Sequence, residues 1–517
     1  MVAEASEIDP LQFINFARTT MGAIDGNGLA NQFSNAAGGS SPNFWQIGCA
    51  FDTILDYFLT LKEARVLSDP DRALLADLLP LAVHGYQYGI VGMSAAWYDD
   101  WCWWGIAASK AFDPDYEALF GTDYGDRFRS AALDLWGLVE DGDFERMAGS
   151  IPDEAWAKAA EMYFGQSFPQ TTVQFSKVLL SERSTFHKGT RKAWELIERG
   201  ATPAGSDRQK ADHSHFTTQS GAAWAVPRFR GGCWQYDLST APFPWQDGPD
   251  WANPNPHDQT LGVFQVTLMS GLYLSFVCSL MAAARRKTAE NKSGGAWDRL
   301  ETFDAYREKA DDVVRFLADW LEAPVPDSLA QYWPVGVLVH ERTPTYARLS
   351  DGSYPPVQGY LENAFWGGDQ GLIMGALKQY AGLAAADARG GAVPPRVGTL
   401  PMELLKGVFY NMPATNLPPG ENLPGAVGPY RDPSNGPISG DSNDYGSGSG
   451  IFWRYVMRCC RLDPAFAPEA RTSPQVVSMA VKSGTNTNGW GNDLFSPFNT
   501  VAAAIGAWHL MTSPVRE

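Results

Sequence analysis

Cysteine is scarce. Only six stand in 517 residues (Cys49, Cys102, Cys233, Cys278, Cys459 and Cys460), and no C-x-x-C spacing occurs. A disulfide framework or a structural zinc site needs closer thiols, so free, buried cysteine is expected. Basic charge is short as well. Forty Lys and Arg face 58 Asp and Glu, for a net charge of −18. That field repels polyphosphates, which argues against nucleic acid as a partner and against anionic membrane surfaces. The first residues, MVAEASEIDPLQF, lack the basic and apolar regions of an export signal. As written, the sequence predicts a cytoplasmic protein, or a secreted or periplasmic one if a leader has been removed. No Gly-x-Ser-x-Gly elbow occurs, and the glycine-rich run at 446–450 lacks a phosphate-loop lysine and a preceding strand. Asp212-His213-Ser214-His215 has metal-ligand residue types but no distant partner cluster, so neither metal nor cofactor is expected.

What is present is apolar and aromatic. Hydrophobic residues make up 44% of the chain against 19% charged, which predicts a large core. Aromatics reach 13%, with 19 Trp and 19 Tyr. Composition favours core packing for most of them, and a sugar cleft is the functional alternative, since flat rings suit pyranose C–H faces.

Two kinds of helix pattern alternate. Trp297, Leu300, Phe303, Tyr306, Ala310, Val313, Leu317 and Trp320 recur at spacings of three and four, predicting an amphipathic helix over 296–321. Residues 125–140 look similar, and Asp69-Pro70 opens another helix running through Val83. By contrast, 261–284 is apolar nearly all round. Its length suits a membrane span, but Gln265, Thr267, Ser270, Ser275 and Ser279 dilute it, so an inner helix and no span is expected. Residues 44–59, 97–112, 371–386, 449–461 and 496–511 share that character. Amphipathic helices alternating with fully apolar ones predict two concentric rings, an all-α toroid around a central cleft. About eleven helical segments can be counted, near the twelve of a six-hairpin barrel. One domain over 1–517 is expected, with a partly helical insertion at about 142–227. Long loops at 228–257 and 411–448 are candidates for function. Trp245 and Trp251 in the first are equally loop anchors or sugar platforms, and His340-Glu341 is equally a cleft wall or a solvated turn.

The strongest local signal is Trp97-Tyr98-Asp99-Asp100-Trp101-Cys102-Trp103-Trp104-Gly105. Carboxylates in so apolar a segment are costly unless paired or functional. The alternatives are acids complementing a helix N-terminus, or a metal site. Glycoside hydrolysis needs one carboxylic acid and one carboxylate, ~5–5.5 Å apart for retention. Adjacent residues, with Cα atoms ~3.8 Å apart, suit that short separation better than the longer inverting one. An ionised Asp99 would raise the pKa of Asp100 and so divide their roles.

With these residues the sequence resembles glycoside hydrolase family 76, the endo-α-1,6-mannanases. Tyr98-Asp99-Asp100 and Trp103-Trp104 match the family's Tyr-Asp-Asp segment with paired tryptophans. Phe44-Trp45-Gln46 with Phe51-Asp52 is similar to the first family helix, and Gly231-Gly232-Cys233-Trp234 to a Gly-Gly-x-Trp stretch. Asp369-Gln370-Gly371 resembles an Asn-Gln-Gly motif, and Ser449-Gly450-Ile451-Phe452-Trp453-Arg454-Tyr455 a Lys-Gly-Ile-Phe-x-Arg-Tyr motif. The resemblance runs over roughly 43–511, apart from the insertion. It implies an (α/α)6 barrel, Asp99 as nucleophile, Asp100 as general acid/base, and an α-1,6-linked mannan cut through a covalent glycosyl-enzyme. Tyr98, Trp103, Trp234, Asn363, Asp369 and Gln370 are the substrate-binding residues expected from their place in the matching segments.

The chain departs from the family pattern in four places: Asp369 replaces an amide, Ser449 replaces a lysine, Phe365-Trp366-Gly367-Gly368 stands where the family is tyrosine-rich, and the insertion at 142–227 is not part of the pattern. An oligo- or polysaccharide is the expected partner. The alternatives are a glycosidase or transglycosylase on another α-linked glycan, or a non-catalytic carbohydrate-binding protein. A polysaccharide lyase would want a basic cleft and a Tyr-His-Arg cluster, which cannot be placed here.

Overall fold

A computed structural model describes residues 9–24, 44–92, 98–141, 223–226, 233, 267–322, 330–341, 346–348, 365–387, 393–412, 430–431, 447–485 and 496–513. The helices, in chain order, are α1 (Leu11–Ala23), α2 (Phe44–Glu63), α3 (Asp69–Gly92), α4 (Tyr98–Ser109), α5 (Pro114–Asp141), α6 (Thr267–Glu290), α7 (Ala296–Arg299), α8 (Phe303–Leu321), α9 (Gly367–Ala385), α10 (Pro395–Asn411), α11 (Gly448–Leu462), α12 (Phe466–Arg471), α13 (Pro474–Gly484) and α14 (Ser496–Thr512).

Six of these close a ring: α2 packs on α4, α4 on α6, α6 on α9, α9 on α11, α11 on α14, and α14 back on α2. Along the chain each inner helix is preceded or followed by an outer one. α1 lies on α14, α3 on α2, α5 on α4, α8 on α6, α10 on α9 and α13 on α14. The fold is an all-α, (α/α)6 barrel. The apolar-all-round segments are the inner helices: in α6, Leu272, Tyr273, Leu274, Phe276, Val277 and Cys278 are all fully buried. Among the described residues α6 is also the one helix long and apolar enough to cross a membrane, and it lies inside the core. The outer helices carry one buried stripe, as in α8, where Tyr306, Ala310, Val313, Leu317 and Trp320 face inward.

Close approach sets the ring. A Cβ at Gly371 would lie 2.6 Å from the Phe452 Cα, and one at Gly105 would lie 2.2 Å from the Phe276 ring. Gly48 meets Trp104, Gly271 meets Leu372, and Gly450 meets Asn499 in the same way. Each contact pairs residues that lie a similar number of positions from the start of their own helices. The inner helices therefore run parallel, with all their N-termini at one mouth of the barrel and all their C-termini at the other.

Some expected boundaries shift for local reasons. The predicted helix over 296–321 is broken into α7 and α8, because Thr302 caps α8: its side chain accepts from the Ala305 N–H at 3.2 Å, and Leu300 is extended. The helix expected over 125–140 begins at Pro114 and kinks at Gly121, where φ is 63°. The helix from Asp69 runs on to Gly92 through Pro80. Among the described residues there are three two-stranded antiparallel sheets, the first of which pairs Ala223–Val226 (β1) with Tyr346–Arg348. The one that bears on the site pairs Ala330–Tyr332 (β2) with Val337–Val339 (β3), Ala330 opposite Val339. Of the insertion at 142–227, only the strand Ala223–Val226 falls within the described residues. The 228–257 loop, apart from Cys233, and most of 411–448 lie outside them. All six cysteines are buried with free thiols.

Candidate active site

Tyr98, Asp99 and Asp100 form the first turn of α4, so both acids sit at the N-terminal mouth of the ring. The turn's unbonded N–H groups favour negative charge there. Successive helical residues diverge by about 100°, so the two carboxyl groups point apart while their backbones stay adjacent. Their surroundings differ: Asp99 is 7% exposed, whereas Asp100 is half-buried. Two neighbouring acids in unlike environments are what an acid/base division of labour requires.

The aromatic frame is packed protein. Trp104 donates from Nε1 to the Phe44 carbonyl at 2.7 Å and stacks on the Phe44 ring at 5.5 Å. Tyr98 meets Trp101 edge-on at 5.6 Å. Trp103, one turn beyond Asp99 on the same helix face, lies 5.9 Å from the half-buried Trp45 ring, with the Arg454 guanidinium 5.7 Å from its own. Tyr98 and Trp103 are both buried. Burial, then Cys233 and Asp99, push the Cys102 thiol well above its ordinary range, which sets Cys233 beside α4. Trp234, the next residue, and Asn363 lie outside the described residues.

Asp369 and Gln370 occupy the first turn of α9, at the same mouth as the Asp pair. Both are fully buried. Gln370 is committed to the chain: Nε2 donates to the Val339 carbonyl at 2.8 Å and to the Trp366 carbonyl at 3.1 Å, and Oε1 accepts from the Val339 N–H at 2.8 Å. Its two N–H donors are used, so Gln370 positions β3. Thr267, at the start of α6, fixes the end of that strand, donating from its N–H to the Glu341 carbonyl at 2.8 Å and from Oγ1 to the His340 carbonyl at 2.5 Å. His340 packs 4.7 Å from the Phe365 ring, and Glu341 is buried. The mouth thus gathers Asp99, Asp100, Asp369 and Glu341, four carboxylates from three segments. No group of His, Cys, Asp and Glu suited to a metal ion occurs among the described residues.

Sequence reasoning passed over a buried ion cluster deeper in the ring. Lys110 Nζ lies 2.6 Å from Asp52 Oδ1 and also pairs with Asp56, while Arg454 Nη1 lies 3.0 Å from Asp52 Oδ2. Burial alone would raise the Asp52 pKa, but Lys110 and Arg454 outweigh it and hold the carboxyl below its usual range. Arg454 also donates to the Cys49 carbonyl at 2.7 Å. Through its contact with Trp103 it links the cluster to the helix that carries the Asp pair. Asp52 and Arg454 each stand in a motif of the sequence, but their pairing is not visible from spacing.

No family model matches the chain, and no curated protein matches it. Among solved structures it is similar to the GH76A alpha-1,6-mannanase from Salegentibacter sp. HEL1_6, at 12% identity and a TM-score of 0.43, over 97% of this chain and 98% of that one.

Proposed function

We propose that this chain is a retaining glycosidase that cuts an α-linked polysaccharide, with internal linkages of an α-1,6-mannan-like glycan as the leading substrate. The observation that carries this reading is the adjacency of Asp99 and Asp100 in the first turn of an inner helix, at its N-terminal end. Asp99 attacks the anomeric carbon. Asp100 protonates the leaving oxygen, and in the second step takes a proton from water as that water cleaves the glycosyl-enzyme. Asp369 and Glu341, at the same mouth, supply carboxylates for sugar hydroxyls.

The test is product analysis. Mass spectrometry after incubation with a panel of α-linked glycans identifies the substrate. Nuclear magnetic resonance of the first-formed product then reads its anomer. Retention is the expected result, and an inverted anomer removes Asp99 as nucleophile.

A further inference from the structure

The barrel has a second mouth, where all six inner helices end. A cavity of about 350 Å³ opens there, at the far end from Asp99, lined by six basic and four acidic side chains in a chain of net charge −18. Most of the basic charge in the wall is already used. Lys110 is held by Asp52 and Asp56, Arg286 by Glu117 and Glu290, and Arg461 by Glu63 and Asp115. Helix C-termini gather partial negative charge at this mouth, and two arginines answer it. Arg285 donates to the Leu383 carbonyl at 3.0 Å, and Arg286 to the Phe112 carbonyl at 2.8 Å.

Arg458 is different. Among the described residues it has no carboxylate within ion-pair distance and bonds no carbonyl. Its contacts are the Ser279 hydroxyl at 3.4 Å and the Tyr455 ring at 5.6 Å. Among the buried polar atoms of the same wall that make no hydrogen bond among the described residues are Oε1 of Gln379, which is 8% exposed, and Nε and Nη2 of Arg454, which is 3% exposed. Reversing the Gln379 amide exchanges acceptor for donor and still leaves a polar atom unmatched. Surplus guanidinium donors are matched best by an oxyanion. A cavity of this volume exceeds what a bare ion needs and falls within the range of small-molecule sites, about 300–1,000 Å³. Hydroxyls on the same molecule would serve Gln379.

We propose that the C-terminal mouth is a binding site for a small hydroxylated oxyanion, a phosphate or carboxylate group carried on a sugar-sized body and held between Arg458, Arg454 and Gln379. The site is separate from the Asp99 mouth, so its occupant does not compete with the polysaccharide.

The experiment is isothermal titration calorimetry on the full chain at fixed ionic strength, with a hexose phosphate, a hexuronate and the neutral hexose as probes. At least one anionic probe binds and the neutral hexose does not. The anion that binds distinguishes phosphate from carboxylate recognition. Arg458→Gln weakens binding by about tenfold or more, because a charge-assisted pair is lost. Gln379→Leu weakens it too, while Asp99→Asn leaves it unchanged. Circular dichroism checks that each variant is folded, and Gln379→Leu decides the matter alone if Arg458→Gln does not fold. The proposal is overturned by no heat with either anion, by equal binding of the neutral hexose, by undiminished binding in the folded variants, or by loss of binding in Asp99→Asn.

Discussion

Val339 and Gln370 are tied in both directions: the Val339 N–H donates to Gln370 Oε1 and Gln370 Nε2 donates to the Val339 carbonyl, each at 2.8 Å. A side-chain amide from an inner helix thus takes the place of a neighbouring strand residue, and it holds β3 with His340 and Glu341 at the candidate active site. Gln370→Met orphans two buried backbone groups, each worth about 1–3 kcal/mol. Denaturant unfolding should show that loss, and hydrogen exchange at the Val339 amide should accelerate. Unchanged exchange would mean that the strand is held by other contacts.

Two glycines give opposite expectations. Gly371 faces the Phe452 backbone, where a Cβ would sit at 2.6 Å, so Gly371→Ala must force α9 and α11 apart. Overpacking of this kind costs about 1–3 kcal/mol. Gly398, in outer helix α10, has nothing within 4 Å of its would-be Cβ. Gly398→Ala stabilises by about 0.4–1 kcal/mol, because alanine has less unfolded freedom to lose. Thermal melts of the two variants should move in opposite directions.

His509 makes stability depend on pH. Burial, with Arg461 adding, holds its pKa well below the ordinary 6.5. The unfolded chain therefore binds a proton more readily than the folded one. The stabilisation is complete above pH 6.5 and is lost as pH falls from there towards the folded pKa. In melts from about pH 7 to about pH 5, His509→Asn should lose less stability than the parent protein. Parallel losses would show that His509 is not the titrating group.

The catalytic pair is tested by the leaving group. Asp99→Asn should abolish nearly all turnover of any substrate. Asp100→Asn should slow natural glycans by about 10²–10⁴-fold, the usual reach of general acid–base catalysis. Aryl glycosides with good leaving groups need no proton, and their first step should be slowed far less. Near-normal kcat in either variant would rule the pair out.

Much of the ring is legible in the sequence because burial writes itself as pattern. Apolar residues on every side of 261–284 predict an inner helix, and Thr267–Glu290 is one. A single stripe from Tyr306 to Trp320 predicts an outer helix, and α8 is one. α10 is harder to see, since Gly398, Pro401 and Gly407 dilute its stripe, and at Gly407 the reason lies outside the helix. Gly407 is small because the Val337 carbonyl presses on it, with a Cβ at 1.9 Å. At the candidate site, the Asp pair stands out because acids in an aromatic run are conspicuous locally. The clamp from Gln370 to Val339 does not, because nothing local marks which amide will find a strand. The contact of Arg454 with the Cys49 carbonyl joins residues 405 apart, and no periodicity reports such a pair.

The ring has a seam. Thr60 Oγ1 and His509 Nε2 meet at 3.1 Å across a sequence separation of 449 residues, where α14 closes on α2. Until the segment bearing His509 has left the ribosome, one flank of α2 has no neighbour, and the nascent molecule is an open horseshoe with apolar surface bare at both tips. Circularisation then waits for α14 and joins parts of the chain far apart in sequence, the kind of contact that slows folding and prolongs exposure to aggregation. The need for chaperones therefore persists until α14 has emerged and closed on α2.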